Sequence, residues 1–313
     1  MNKMKKYDVI IIGAGPAGLT AGLYSARNGL KVGIISKDIG GTANSILRIE
    51  NWPGYSGTGA ELIKNFYEQV KKYDIDFIID EVSSIEKEKE NGKSDKGKSK
   101  EFIIRTKKQE LESKAIIIAT GTERKKLQIP GEVEFLGKGV SYCATCDSFF
   151  FKNKDVAVIG GSDCATTSAL ALADIAKKVY LIYRGEKLKC ENINEERLNE
   201  KKNVEIFYNS FPLEIVGKEK VEGIKIMSNK NKKDIKLDGI FIEIGSTPLG
   251  EFTKNINIKM DEEKFIHVDE NMKTSVEGIY AAGDVTNSKL KQVIVSASQG
   301  AIAAKSVSDW LNK

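Results

Sequence analysis

Short, unbroken apolar runs that end in glycine turns and lead into longer amphipathic stretches recur along this chain. Val9–Ile12 enters Gly13-Ala14-Gly15-Pro16-Ala17-Gly18, which opens a helix to about Arg27, and a second apolar run follows at Val32–Ile35. The same order returns at Val156–Ile159, Gly160-Gly161-Ser162-Asp163-Cys164-Ala165, a helix to about Ala176 and Val179–Ile182. Apolar strands without alternation, separated by helices, predict parallel sheets covered on both faces. Two such units predict an α/β protein with two Rossmann-like, three-layer nucleotide-binding domains. Ala115–Gly121 and Gly278–Val285 read as further buried strands ending in small-residue turns. The first and last thirds then form one domain interrupted by the other. The expected bounds are 1–122 and 246–313 for the outer domain, and 123–245 for the inserted one, which also carries a Cys-x-x-Cys pair. The polar stretch Glu86–Lys100 reads as a long hairpin loop.

Composition narrows the possible partners. The chain has 313 residues, enough for two domains. Its 41% hydrophobic content is ordinary for a protein that buries proper cores. Lys+Arg exceed Asp+Glu by 49 − 44 = 5. That surplus suits an acidic protein partner and is too weak to indicate nucleic acid. No apolar run approaches the length of a membrane span. The basic start before Val9–Ile12 runs into a glycine turn with no cleavage pattern after it, so it reads as a strand, not a signal peptide. Four cysteines in a chain of this length do not make a disulfide scaffold, which points to a reducing cytoplasm and a catalytic disulfide.

Three motifs carry chemistry. Gly13, Gly15 and Gly18 complete a GxGxxG: a tight turn, a backbone that a pyrophosphate can approach, and close helix–strand packing. Free N–H groups at the helix start favour the phosphates. The acidic ribose ligand usual at the end of the second strand is replaced by Ser36-Lys37, with Asp38 nearby. Asp284, after Gly283, can accept a hydrogen bond from a ribityl hydroxyl or a water; capping a following helix is its plainer use. Cys143-Ala144-Thr145-Cys146-Asp147 can close a small redox disulfide beside a proton-carrying carboxyl group. A zinc site needs four ligands, and Cys164, Cys190 and the lone His267 do not supply the rest, so no metal is expected.

In these motifs, and in Glu50–Gly54, Ala119-Thr120-Gly121 and Gly139–Asp147, the chain resembles the low-molecular-weight thioredoxin reductases over nearly its whole length. The resemblance implies FAD held by Gly13, Gly15, Pro16, Ala17, Gly18, Gly41, Asn51, Ala119, Thr120, Gly121, Gly283 and Asp284. Lys291, Gln292 and Val293 are implied near the flavin. It implies that Cys146 faces the flavin, Cys143 attacks the disulfide of thioredoxin and Asp147 is the acid/base. A cytoplasmic homodimer is implied as well.

The second glycine turn departs from that family. Ser162 stands where the motif glycine should admit the pyrophosphate, and Tyr183-Arg184-Gly185 with Lys189 replace an arginine-rich clamp on the 2′-phosphate. Loss of NADPH is therefore favoured over a drifted but working site. Relatives in the wider family draw electrons from reduced ferredoxin or a deazaflavin, and ferredoxin is the donor expected here. The alternatives are an ordinary NADPH-dependent thioredoxin reductase and a non-catalytic flavin and thiol redox sensor. Cys164 and Cys190 are expected to be near neighbours beside the second turn.

Overall fold

The computed structural model describes residues 4–46, 49–87, 101–248 and 251–312, and of Thr145, Cys146 and Glu251 only the backbone. The chain divides into two compact units, Met1–Glu123 with Thr247–Lys313, and Arg124–Ser246. Most of the expected loop 86–100 lies outside the described residues; the strands flanking it, Val82–Lys87 and Phe102–Thr106, pair antiparallel.

In the first unit, β1 (Lys5–Ile12) leads through the glycine turn into α1 (Pro16–Arg27) and β2 (Val32–Ser36), and β3 (Glu110–Ile118) lies on the other side of β1. Among the described residues the sheet has seven strands, and Ile279–Ala281 also pairs with β3. Ile12 is in register with Ile35 and with Ile118, and Ile118 with Ala281. Four parallel strands thus end at one level. The residues that follow them, Gly13, Ser36, Ala119 and Ala282, line the edge where open α/β sheets bind their ligands.

The unbroken apolar runs have a physical cause. Successive side chains of a strand point to opposite faces. Val9 and Ile11 join one core cluster, and Ile10 and Ile12 another. With helices on one face and further strands and loops on the other, no position of β1 between Val9 and Ile12 faces water. The α1 helix packs on the C-terminal helix Val293–Leu311 so closely that a Cβ on Gly300 would come 2.2 Å from the Ala17 carbonyl oxygen.

The second unit repeats the plan with β4 (Asp155–Ile159), α2 (Asp163–Ala173), β5 (Lys178–Ile182) and β6 (Gly239–Ile242). Its five described strands are all parallel, in the order Val140–Ser141, β6, β4, β5, Val204–Phe207. Val156 and Val158 enter one cluster, Ala157 and Ile159 the other. An antiparallel sheet, Ser210–Gly217, Val221–Ser228 and Asn231–Lys236, completes the unit. Among the described residues no helix is long and apolar enough to cross a membrane.

Candidate functional site

The turn after β1 contains glycines of two kinds. Gly13 has φ +110°, and a Cβ there would meet the Ala119 carbonyl oxygen at 2.2 Å; a Cβ on Gly18 would meet the Gly13 carbonyl oxygen at 1.9 Å. The protein's own packing requires both. Gly15 is different. Its φ of −77° and ψ of −171° suit any residue, and a Cβ there would find only the Gly40 carbonyl oxygen, at 3.8 Å. Nothing in the polypeptide needs a glycine at 15. A group resting against that backbone does, and a pyrophosphate on the N–H groups of the first turn of α1 is such a group. Pro16 at the start of α1 lacks an N–H that would have no helical partner, and no side chain caps the helix. The residues present therefore fit a dinucleotide such as FAD.

The remaining candidates in this unit gather around the same edge. Gly40 donates its N–H to the Ala14 carbonyl at 2.8 Å, bringing the Gly40–Gly41 turn against the glycine loop. Gly41 and Gly121 have positive φ and open space where a Cβ would stand. Ala119 donates its N–H to the Ile12 carbonyl, and Thr120 follows it. Asn51 donates from Nδ2 to Gln292 Oε1 at 3.0 Å across 241 residues. Gln292 stands at the N-cap position of the C-terminal helix that begins at Val293, without a capping bond from its side chain.

Asp284 follows Gly283 and accepts a bond from Ser296 Oγ at Oδ1, 3.2 Å. Burial pushes its carboxyl group up, partly offset by the charge of Lys291 and the Ser296 bond. Lys291 donates to the carbonyls of Asp284, at 2.9 Å, and Thr286, and its ammonium lies 4.0 Å from the centre of the Phe265 ring. Its charge thus braces the 284–291 loop from within. Burial pushes its pKa down, opposed by Asp284. Sequence reasoning missed Gln299, whose Oε1 accepts the Gly283 N–H at 2.8 Å, because a polar residue on a buried helix face has no distinctive spacing. Ser36, where an acidic ribose ligand was sought, accepts the Ala14 N–H. Lys37 pairs with Glu81 at 2.5 Å, and Asp38 accepts the Gly41 N–H.

The second unit reproduces four backbone-to-backbone bonds of this turn. Gly13 N–H to Ile35 O corresponds to Gly160 N–H to Ile182 O, Ala119 to Ile12 corresponds to Glu243 to Ile159, and Leu19 to Gly15 corresponds to Thr166 to Ser162. Gly40 to Ala14 corresponds to Lys189 to Gly161. The side chains differ at each open position. Ser162, the counterpart of Gly15, has nearly the same backbone angles, and its hydroxyl caps nothing. The ring of Tyr183, the counterpart of Ser36, lies so near that a Cβ on Gly161 would meet it at 2.4 Å and one on Gly185 at 2.7 Å. Glu243, the counterpart of Ala119, is 3% exposed and binds Arg124 and Ser168 Oγ, the latter at 3.1 Å. Burial pushes its carboxyl group up, against the opposing Arg124 charge and Ser168 bond. The first crevice is lined by small residues, the second by larger polar and aromatic ones.

The Glu243 cluster carries a measurable cost if broken. Arg124→Met leaves a buried carboxylate without its cation, and is expected to lower stability by about 3 kcal/mol. The midpoint of urea unfolding checks this, and an unchanged midpoint contradicts it.

Cys143 is in a disulfide, and its N–H donates to Ser141 Oγ at 2.9 Å. Ala144–Asp147 forms a single helical turn, in which the Asp147 N–H donates to the Cys143 carbonyl at 3.2 Å. The side chain of Cys146 lies outside the described residues. Cys164 and Cys190 are not in disulfides; Cys164 is exposed, and burial pushes the Cys190 thiol up. Among the described residues no cluster could hold a metal ion.

Comparison with known proteins places these features together. The family model for pyridine nucleotide-disulphide oxidoreductases matches residues 7–300. Thioredoxin reductase of Bacillus subtilis (strain 168) is 36% identical, covering all of this chain and 97% of its own. An alkyl hydroperoxide reductase protein of Staphylococcus aureus (strain Mu50 / ATCC 700699) is 40% identical over 97% of this chain, which spans 59% of that longer relative. Among solved structures, Lactococcus lactis thioredoxin reductase (FR conformation) matches with a TM-score of 0.92 at 34% identity, over 98% of this chain and 99% of its own. A ferredoxin-flavin thioredoxin reductase from Clostridium acetobutylicum matches with a TM-score of 0.52 at 31% identity, over 99% of this chain and all of its own.

Proposed function

The chain belongs to the pyridine nucleotide-disulphide oxidoreductase family, and from that premise we propose that it reduces the disulfide of thioredoxin with electrons taken from reduced ferredoxin, not from NADPH. It is a thioredoxin reductase-like flavoenzyme, and its family implies FAD. The observation that carries the choice of donor is the contrast between its two glycine turns. The turn that suits FAD leaves Gly15 open, while the other sets Ser162, Tyr183 and the Glu243–Arg124 pair where the first has Gly15, Ser36 and Ala119. Crowding of this kind costs about 1–3 kcal/mol, or roughly 5- to 150-fold in affinity.

When bound, FAD accepts electrons singly and passes them on in pairs. This chain's own residues perform the rest. Gly15 and the start of α1 would seat its pyrophosphate, and Asp284 would accept a hydrogen bond from a ribityl hydroxyl. Two electrons and two protons convert the Cys143–Cys146 disulfide to a dithiol. The Cys143 thiolate attacks one sulfur of thioredoxin's disulfide, and the thiolate released takes a proton carried by Asp147. Cys146 then attacks Cys143 in the mixed disulfide, re-forming their bond and releasing the second thioredoxin thiol. Phe149 and Phe150, 80% and 69% exposed, give the turn after Asp147 an apolar surface suited to a protein partner. Ile294 and Ile302, exposed two turns apart on the C-terminal helix, and Tyr24 on α1 offer a face for the homodimer. The cytoplasm is the compartment that fits a dithiol mechanism.

An NADPH-dependent enzyme is the second reading, and one observation favours it: the second turn keeps four backbone-to-backbone hydrogen bonds of the first. Anaerobic turnover separates the two. Reduced ferredoxin alone is expected to yield reduced thioredoxin, at a rate that falls as salt rises because the attraction is between exposed charges. Thioredoxin reduction by NADPH alone supports the second reading.

A further inference from the structure

Glu132 is 1% exposed and has no cation within ion-pair distance among the described residues. A buried carboxylate without a cation is costly unless donors surround it. Three do. Oε1 accepts the Leu127 N–H at 2.8 Å and the Tyr142 hydroxyl at 2.5 Å, and Oε2 accepts the Gln128 N–H at 2.6 Å. Gln128 has φ +59°, a left-handed conformation that a non-glycine residue seldom adopts. Burial, and then the bond to Glu132, push the Tyr142 hydroxyl's pKa up, so it stays a donor. The Tyr142 ring also packs against the core beneath the five-stranded sheet.

Tyr142 is the residue before Cys143. On its other side, Ser141 accepts the Cys143 N–H at 2.9 Å and donates to the Cys143 carbonyl at 3.2 Å. Two consecutive side chains therefore fix the backbone that carries the cysteine, one locally and one through a buried carboxylate ten residues earlier. We propose that Glu132 and Tyr142 are positioning residues that hold the Cys143 backbone in place and thereby favour closure of its disulfide. The bond between two thiols is stabilised by whatever confines them before it forms. Loosening the anchor lowers their effective concentration and makes the disulfide easier to reduce.

The importance of this pair for catalysis rests on the proposed role of Cys143. The test uses neither donor nor thioredoxin, so the anchor and that role can fail separately. Wild type and Tyr142→Phe, both loaded with FAD, are equilibrated in dithiothreitol buffers of graded potential, and the Cys143 disulfide is quantified by alkylation and mass spectrometry. Tyr142→Phe keeps the ring's packing and removes only the donor. Its disulfide is expected to be about tenfold easier to reduce, a rise of about 30 mV, with FAD content unchanged. Glu132→Gln, which removes the charge and keeps the shape, is expected to shift the equilibrium the same way. An equilibrium in Tyr142→Phe within about twofold of wild type, or one shifted toward a more stable disulfide, overturns the proposal.

Discussion

Cys143→Ser is expected to abolish thioredoxin reduction while the protein stays yellow. A serine hydroxyl is hardly ionised near neutral pH, so the variant has no nucleophile for a protein disulfide. It also cannot form the disulfide in which Cys143 is held, so electrons have no stored dithiol to leave from. Removing a nucleophile that works as a unit with its partners costs on the order of 10⁴-fold or more. The FAD candidates all lie in the first unit and Cys143 in the second, so flavin content is expected to match wild type. Residual turnover above a few per cent contradicts the thiol mechanism. Loss of flavin as well would show that the substitution damaged the fold and not the chemistry.

Gly15→Val is expected to abolish FAD binding without unfolding the protein. The backbone at 15 lies in the extended region, where valine is comfortable. The nearest protein atom to a new Cβ is the Gly40 carbonyl oxygen at 3.8 Å, an ordinary contact, so the backbone admits a Cβ without a clash, and the added side chain is expected to take the pyrophosphate's place. The control is Gly13→Val, at φ +110° with a carbonyl oxygen 2.2 Å from the Cβ, which is expected to fail to fold. Purified Gly15→Val should be colourless, with a circular dichroism spectrum like wild type. A yellow Gly15→Val with one FAD per chain would mean that the cofactor is not seated on this turn.

These contrasts show which features the sequence carried and which it did not. The α/β class was legible because β1 from Val9 to Ile12 and β4 from Val156 to Ile159 are apolar at every position, and such runs fit a sheet covered on both faces. The two turns were legible because Gly13 and Gly160 have backbones that other residues avoid. Element ends were harder. The helix expected to reach Ala176 ends at Ala173, and the strand expected over Gly278–Val285 shortens to Ile279–Ala281, because Ala282-Gly283-Asp284 turns away to present the loop braced by Lys291. The antiparallel sheet of the second unit went unseen among short, Lys-rich segments. Least legible were pairs set by tertiary packing: Arg124 with Glu243 across 119 residues, and Glu132 with Tyr142 ten apart. No local pattern announces a buried carboxylate. The departure at Ser162 was visible in the sequence, whereas the Tyr183 ring over Gly161 and Gly185 is set by the fold of the second turn.

The identity of the electron donor is the central claim, and one half-reaction tests it most directly. Oxidised protein is mixed anaerobically with NADPH in a stopped-flow instrument, and the visible absorption band of the flavin is followed without thioredoxin. Ser162, at the pyrophosphate's approach, and Gly185, in place of an arginine on the 2′-phosphate, act on different parts of the same ligand, so their costs should roughly add. Together they raise the dissociation constant by about two to three decades over an open site. The prediction is no bleaching by NADPH on a catalytic timescale, with full bleaching by reduced ferredoxin in the same buffer. Rapid bleaching by NADPH at micromolar concentration would contradict the account, whatever ferredoxin does.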